Sequence, residues 1–183
     1  MDTDTAEYMV TFSRLLHRSV NFTPFSILED EIQFAQDYID LEKTRFGNRL
    51  DYHLEVSDQR LLDLPVPTYF LQPMLENSIV HGFLDKTTTH TIFVSISAEG
   101  DDLTIDISDN GVGSDQAKNI QDIIDGRKPP AHIMAMKNLA ERIRLYFGAD
   151  THWGVHFYSE VNMGARILIT LPASREIYAK YLR

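Results

Sequence analysis

The stretch LTIDISDNGVG, residues 103–113, joins a regular strand pattern to an unusual ending. Apolar and polar residues alternate from Leu103 to Ser108, and this period of two predicts a strand with one buried face. The Asn-Gly pair that follows favours a turn with positive φ. A hairpin turn needs only one glycine, so Gly113 indicates either a decorated turn or a backbone that approaches a ligand closely. In the second case the carboxylate of Asp109 would accept a hydrogen bond from an amino group.

The composition favours one folded domain and excludes several classes of partner. The 183 residues, 43% of them hydrophobic, suffice for one sizeable core. The net charge of −10 argues against direct binding of nucleic acid, because a phosphate backbone attracts a basic surface. Zero cysteines exclude disulfides and thiolate metal sites, which fits a cytoplasmic location. No apolar run reaches the roughly 18–20 residues of a membrane span, so we expect a membrane only through an upstream segment.

Working outward, the periodicity predicts helix–helix, then β-α-β-β, a long loop and α-β-β. The predicted helices are 6–20, 26–47, 69–83, a weak one at 120–124, and 136–147, with Gly148 as its stop and a short helical tail at the end. The predicted strands are 50–56, 92–96, 103–108, 153–159 and 166–171. Strands that come in adjacent pairs favour an α+β fold, in which helices cover one face of a mixed sheet.

The first two predicted helices stand apart from this pattern. Residues 26–29 have the capping-box form, in which Ser26 and Glu29 satisfy first-turn N–H groups. An apolar stripe follows along the second helix. We expect these helices to lie outside the main unit as a stalk or dimerisation element. The predicted division is therefore a stalk at 1–47, a main unit at 48–173 and a helical tail at 174–183.

A second polar group lies on the predicted helix 69–83, in the run ENSIVHG at 76–82. Asn77 and His81 are four residues apart and share one helix face, with Glu76 beside them. An amide oxygen is a good ligand for Mg²⁺, which takes few protein oxygens together with substrate phosphates. The alternative is that this run is only the polar face of an ordinary helix.

Several stretches together resemble the ATP-binding domain of sensor histidine kinases. They are LQPMLENSIVHG at 71–82, DNGVG at 109–113 and ERIRLYFG at 141–148. The likeness is greatest to the subfamily with multi-pass membrane sensors of cell-wall state and nutrients. FSILEDEIQFAQDYIDLEKTRFGNRL at 25–50 is similar to that subfamily's segment before the ATP-binding domain, and MGARILITLP at 163–172 to its terminal strand. The resemblance covers about residues 13–172.

The resemblance implies the two-layer α/β sandwich of the GHKL (Bergerat) fold, with ATP and Mg²⁺ as cofactors. In it Asn77 helps to hold the metal, and Asp109 accepts a hydrogen bond from the adenine amino group. Glu76 and His81 belong to the catalytic box around Asn77, and residues 114–132 correspond to a mobile lid. The other implied nucleotide-binding residues are Gly111, Gly113, Lys137 and Asn138.

The activity that the resemblance implies is transfer of the ATP γ-phosphoryl group to a histidine on an upstream helix. An aspartate of a response regulator would then receive it. The full-length kinase would be a homodimer and a membrane-anchored bacterial protein, with this part in the cytoplasm. His17 lacks the sequence context of the phosphoacceptor, so we expect that histidine to lie outside this chain.

Two departures from the family pattern bear on nucleotide binding. Ile133 and Ala135 replace both lid glycines, and Ala165 replaces a threonine near the pocket. These changes predict weak ATP binding, and they raise the alternative of a degenerate, non-catalytic module that acts through protein contacts. A gyrase-type or chaperone-type ATPase is a further alternative. It requires a glutamate one helical turn before the metal asparagine, where this chain has Pro73.

Overall fold

The computed structural model describes residues 23–83, 88–128 and 134–181. The helices are α1 (Leu28–Phe46), α2 (Leu71–Asn77), α3 (Ala117–Ile124), α4 (Met134–Phe147) and α5 (Arg175–Tyr178). The strands are β1 (Phe25–Ile27), β2 (Leu50–Val56), β3 (Pro65–Pro67), β4 (His90–Glu99), β5 (Asp102–Asp109), β6 (Gly154–Ser159) and β7 (Ala165–Pro172). The predicted helix 6–20 lies outside the described residues.

The centre of the fold is a five-stranded mixed sheet in the order β2-β4-β5-β7-β6. Strands β2 and β4 run parallel, whereas β4–β5, β5–β7 and β6–β7 are antiparallel. All five strands were predicted from alternating sequence patterns. The parallel pair is possible because the connection between β2 and β4 contains α2 and crosses over the sheet. The prediction of a mixed sheet is confirmed.

Helices cover one face of this sheet. The inward residues of β4 and β5, such as Ile96 and Ile105, belong to the same buried cluster as residues of α1, α2 and α4. On the opposite face, Phe93 and Tyr158 are 36% and 51% exposed. The α+β prediction of a two-layer sandwich is therefore confirmed.

Helix α1 shares this core, which differs from the expectation that it lies outside the main unit. Leu28, Ala35 and Ile39 are fully buried in the common cluster. Strand β1, just before the helix, pairs with β3 in a small antiparallel sheet that the sequence did not predict. Strand β3 contains two prolines, and it was not predicted because proline normally indicates a break or a sheet edge. The boundaries near 47 and 173 stay predictions.

The predicted capping box at 26–29 does not form. Ser26 lies in β1, helix α1 begins at Leu28, and no side chain caps its first turn. The hydroxyl of Ser26 instead donates to Glu31 Oε1 at 3.0 Å. The local pattern failed because strand pairing with β3 holds Ser26 in an extended conformation.

Candidate functional site

A pocket of about 490 Å³ opens between α2, the end of β5 and the edge strand β6. Its lining combines a few polar groups with an apolar wall, as ligand sites commonly do. The lining residues are Asn77, Ser78, His81, Gly82, Asp109, Val112, Gly113, Ser114, Ile120, Met136, Phe157, Ser159, Ala165 and Ile167. Four of the predicted site residues therefore meet here, from two separate parts of the chain: Asn77 and His81 from one, Asp109 and Gly113 from the other.

Asp109 is the last residue of β5, and its carboxylate is held by backbone donors. Its Oδ1 accepts hydrogen bonds from Gly111 N at 2.9 Å and Ala165 N at 3.2 Å. Within the described ranges, no protein donor bonds to its other oxygen, Oδ2. Because Asp109 also lines the pocket, that oxygen is available to a donor on a bound ligand.

The glycines around Asp109 let backbone segments pack against one another. A Cβ on Gly111 would lie 2.6 Å from Gly82 Cα, and one on Gly113 would lie 1.9 Å from the Glu160 carbonyl oxygen. Gly113 also has a φ of 63°, which favours glycine. Gly164, which was not among the predicted site residues, would place a Cβ 1.9 Å from the Asp109 carbonyl oxygen. Gly82, Asp109 and Gly113 of this crossing also line the pocket.

The asparagine of DNGVG has a structural role. Asn110 Oδ1 accepts from Thr91 N at 2.8 Å, and its Nδ2 donates to Thr89 O at 3.0 Å. These bonds tie the turn to the beginning of β4. The side chain is thereby used within the fold, whereas the neighbouring Asp109 is directed to the pocket.

Asn77 and His81 stand on the wall formed by α2. The helix continues after Asn77 as a wider π-type turn, Ser78–Gly82, which carries His81 to the pocket rim. The Asn77 amide nitrogen, Nδ2, is buried and has no hydrogen-bond partner among the described residues. A buried amide without a partner is costly, so this group calls for a ligand or water in the pocket. Rotation of the amide by 180° would present its oxygen there instead.

Four predicted site residues do not line the pocket. Glu76 is exposed on the side of α2 that faces Tyr69, where burial and then the charge of Glu76 raise the pKa of that tyrosine. Gly111 packs against Gly82, which does line the pocket. Lys137 forms an ion pair with Glu141 at 3.2 Å, and the neighbouring Asn138 is exposed. The assignments of Glu76, Gly111, Lys137 and Asn138 to catalysis or nucleotide binding stay predictions.

An apolar wall completes the pocket, and the sequence analysis did not predict its residues as part of a site. It consists of Ile120 from α3, Met136 from α4, Phe157 from β6 and Ile167 from β7. Phe157 and Ile167 are direct partners in the sheet, two positions along the strands from the pair of Ser159 and Ala165. Their inward positions in the strand alternation were the available signal, but periodicity does not distinguish a pocket wall from core.

The residues present fit an adenine nucleotide with Mg²⁺. The flat apolar wall beside the Asp109 carboxylate suits a base that carries an amino group. The unpartnered amide of Asn77 suits a metal-bound phosphate group, provided that its oxygen faces the pocket. In the described part of the chain, no group of three His, Asp or Glu side chains could hold a metal by itself. A bound Mg²⁺ would therefore take most of its ligands from phosphates and water.

The described residues contain no helix that is both long enough and apolar enough to cross a membrane.

Comparison with known proteins finds histidine kinases among the relatives in sequence. The model of the histidine kinase family matches residues 1–50. The sensor histidine kinase BtsS of Escherichia coli is 30% identical over 167 residues, which cover 91% of this chain and 27% of BtsS. The sensor protein LytS of Bacillus anthracis is 29% identical over 148 residues, which cover 79% of this chain and 24% of LytS. The chain thus spans about a quarter of the length of these relatives.

Solved structures show the same fold at low sequence identity. The histidine kinase domain of the blue-light activated kinase from Erythrobacter litoralis EL346 matches with a TM-score of 0.58 and 11% identity, covering 97% of this chain and 78% of that one. The catalytic domain of histidine kinase ThkA matches with a TM-score of 0.57 and 12% identity, covering 84% and 97%. Since the sequence relatives and the fold agree, the chain is a homologue of part of the sensor histidine kinases and has the GHKL type of catalytic fold.

Proposed function

We propose that this chain is the ATP-binding catalytic part of a two-component sensor histidine kinase. The observation that carries the proposal is the pairing, across one pocket, of the Asp109 carboxylate with the unpartnered buried amide of Asn77. One group suits an adenine amino group and the other a metal-bound phosphate. Transfer of the γ-phosphoryl group would then depend on positioning and electrostatics, without a covalent protein intermediate.

The base would bind at the sheet end of the pocket. The backbone N–H groups of Gly111 and Ala165 fix the orientation of the Asp109 carboxylate. Because the free carboxylate oxygen only accepts hydrogen bonds, it favours adenine, whose exocyclic amino group donates, over guanine, whose carbonyl at that position accepts.

The phosphates would extend towards α2. Asn77 would hold Mg²⁺ together with phosphate oxygens, and the exposed ring of His81 at the rim could donate to a phosphate. When bound, Mg²⁺ neutralises charge on the phosphate oxygens. The protein's own part is to hold these groups still and to keep water from the base.

The acceptor and the partners would come from outside the described chain. We infer a phosphoacceptor histidine upstream, a homodimer in the full-length kinase, and a membrane anchor in the upstream part. A response regulator would receive the phosphoryl group. ThkA, whose fold this chain shares, has been solved in complex with the response regulator protein TrrA.

The replaced lid glycines predict weak binding. Helix α4 begins at Met134, and Met136 fills the pocket wall as a buried side chain. Ala135 lies half-buried in the first turn of this helix. Side chains at these positions reduce the room for helix N–H groups to reach phosphates.

Titration calorimetry with Mg-ATP tests the proposal. We expect the unmodified chain to bind with a Kd on the order of 100 µM, and Asp109→Asn to weaken binding by about tenfold or more through loss of a charged hydrogen bond. The matched control is Asp106→Asn, which removes a carboxylate from the outer face of the same strand, where it pairs with Arg166. Low-micromolar binding would disprove the predicted weakness. Absence of binding at millimolar Mg-ATP would instead support the non-catalytic alternative.

The Mg²⁺ dependence of ATP binding distinguishes the phosphate end of the pocket, at Asn77, from the base end, at Asp109. Asn77→Ala should remove most of the advantage that Mg²⁺ gives to ATP binding, while leaving the affinity for adenosine unchanged. Titrations with and without EDTA measure this difference. A mutant that keeps the full Mg²⁺ dependence would contradict the role of Asn77.

A further inference from the structure

Gln121 of α3 forms hydrogen bonds to the free edge of strand β6. Its Oε1 accepts from Phe157 N at 2.8 Å, and its Nε2 donates to Val155 O at 3.2 Å. The same Nε2 also donates to Asp125 Oδ1 at 3.0 Å. The side-chain amide therefore meets one backbone acceptor and one backbone donor, two residues apart on the strand.

This arrangement reproduces what a neighbouring strand would do. Strand β6 is at the edge of the sheet, with β7 as its partner on one side. In an antiparallel edge strand, alternate residues direct their N–H and C=O groups away from the partner. Val155 and Phe157 are such residues, and the Gln121 amide satisfies the outward groups. In this way α3 is held at one defined position along strand β6.

The position of α3 along β6 matters because residues on both sides of this hydrogen-bonded contact line the pocket. Ile120 precedes Gln121 on α3, and Phe157 is the residue of β6 whose N–H bonds to Gln121. Ile120 and Phe157 both belong to the apolar wall. Phe157 lies beside Ser159 and Ala165, at the end of the pocket where Asp109 stands. Movement of α3 along the edge would therefore change the space available to a base.

Helix α3 has other anchors that do not depend on Gln121. Ile123 and Ile124 are buried, and Arg144 of α4 donates to Ile124 O at 2.8 Å. Removal of the Gln121 amide should thus leave the helix attached, while its position on β6 becomes less defined.

We propose that Gln121 is a positioning residue for nucleotide binding, which sets the apolar wall against the adenine base by clamping α3 to β6. The proposal rests on the proposed function, since it assigns the base end of the same pocket. It predicts a loss of affinity that is shared by every ligand with the base, with or without phosphates and metal.

The test compares Gln121→Met and Gln121→Ala with the unmodified chain. Methionine keeps most of the side-chain volume but removes both hydrogen bonds to β6. The control is Gln116→Ala, since Gln116 is an exposed glutamine just before α3 whose side-chain amide bonds, among the described residues, only to Asp115 Oδ1. Affinities for adenosine, ADP and Mg-ATP are measured by calorimetry, and the unfolding midpoint of each variant is recorded.

We expect both Gln121 variants to bind all three ligands more weakly by a similar factor, about three- to tenfold, the effect of roughly one hydrogen bond. Gln116→Ala should stay within about twofold of the unmodified chain. If the unmodified chain binds none of the ligands, the proposed function fails. If it binds them and Gln121→Met binds equally well, only the role of Gln121 is overturned.

Amide hydrogen exchange gives a readout that does not depend on nucleotide. The Phe157 N–H should be protected in the unmodified chain and should exchange faster in Gln121→Met. The His156 N–H, which faces β7 by the strand alternation, should keep its protection. Equal loss of protection at both amides would indicate general unfolding of the edge and would overturn the clamp.

Discussion

At the scale of single residues, the glycines near Asp109 have a packing role that their sequence did not suggest. Gly111 and Gly113 were predicted to bring backbone close to a ligand. Their nearest neighbours are protein backbone, namely Gly82 and Glu160, and Gly164 approaches Asp109 in the same way. The glycines are needed because three chain segments cross where side chains would not fit. The pocket then follows from that crossing.

Alanine should therefore have unequal effects at glycines with similar backbone angles. Gly113→Ala combines a positive φ with a Cβ position 1.9 Å from Glu160 O, so we expect a loss of about 3 kcal/mol or more in the free energy of unfolding. Gly126→Ala has a φ of 77° but no neighbouring atom within 4 Å, and should lose only about 1–2 kcal/mol. Urea denaturation measures both. Equal losses of unfolding free energy would show that the positive φ alone, and not the contact with Glu160, requires glycine at position 113.

At the scale of elements, the helix that carries Asn77 is held at its beginning by α1. Glu31 of α1 is 2% exposed, and its carboxylate accepts from Tyr69 N at 2.8 Å and from Phe70 N at 3.0 Å. Tyr69 has a φ of 58°, which is unusual for a residue with a side chain. Glu31 therefore satisfies the N–H groups of the two residues just before α2 and stabilises a strained turn.

Glu31→Ala should destabilise the protein by about 2–4 kcal/mol, because it leaves buried N–H groups without an acceptor. The control is Glu29→Ala in the same helical turn, where the side chain is exposed and the expected loss is within about 0.5 kcal/mol. Chemical denaturation followed by circular dichroism gives both values. A small effect of Glu31→Ala would mean that water replaces the carboxylate at the turn.

At the scale of the whole molecule, both ends of the described chain meet in an aromatic cluster beside the central core. Phe25 of β1 packs edge-on against Tyr178 of α5 with ring centroids 5.2 Å apart, and Tyr178 also contacts Phe147 of α4 at 5.3 Å. Tyr178 is fully buried. The predicted stalk and tail thus meet on the same side of α4.

We therefore expect a fragment of residues 48–173 to be unfolded, whereas residues 23–181 fold cooperatively. The shorter fragment loses several buried apolar side chains, each worth about 1.5–3 kcal/mol, and the sum is comparable with the whole stability of a domain, about 5–15 kcal/mol. Thermal unfolding can be followed by circular dichroism and by the fluorescence of the single tryptophan, Trp153. A cooperative transition in the 48–173 fragment would support the predicted domain boundaries instead.

The sequence by itself determined the five strands of the main sheet and the helices that cover it, because period-two and helical patterns are local. It also placed Asp109 and Asn77 on a strand end and a helix, and so predicted two halves of a site. The tertiary structure decided how these halves face each other, and it supplied Phe157 and Ile167 as the wall between them.

Only the tertiary structure assigned the partners of Glu31 and Gln121. Glu31 bonds to N–H groups 38 and 39 residues away, and Gln121 to a strand edge 34 and 36 residues away. A polar side chain can bond locally, to water or to any distant backbone group, and its neighbours in the chain do not distinguish these outcomes. The choice depends on which buried backbone groups the packed fold leaves without a partner.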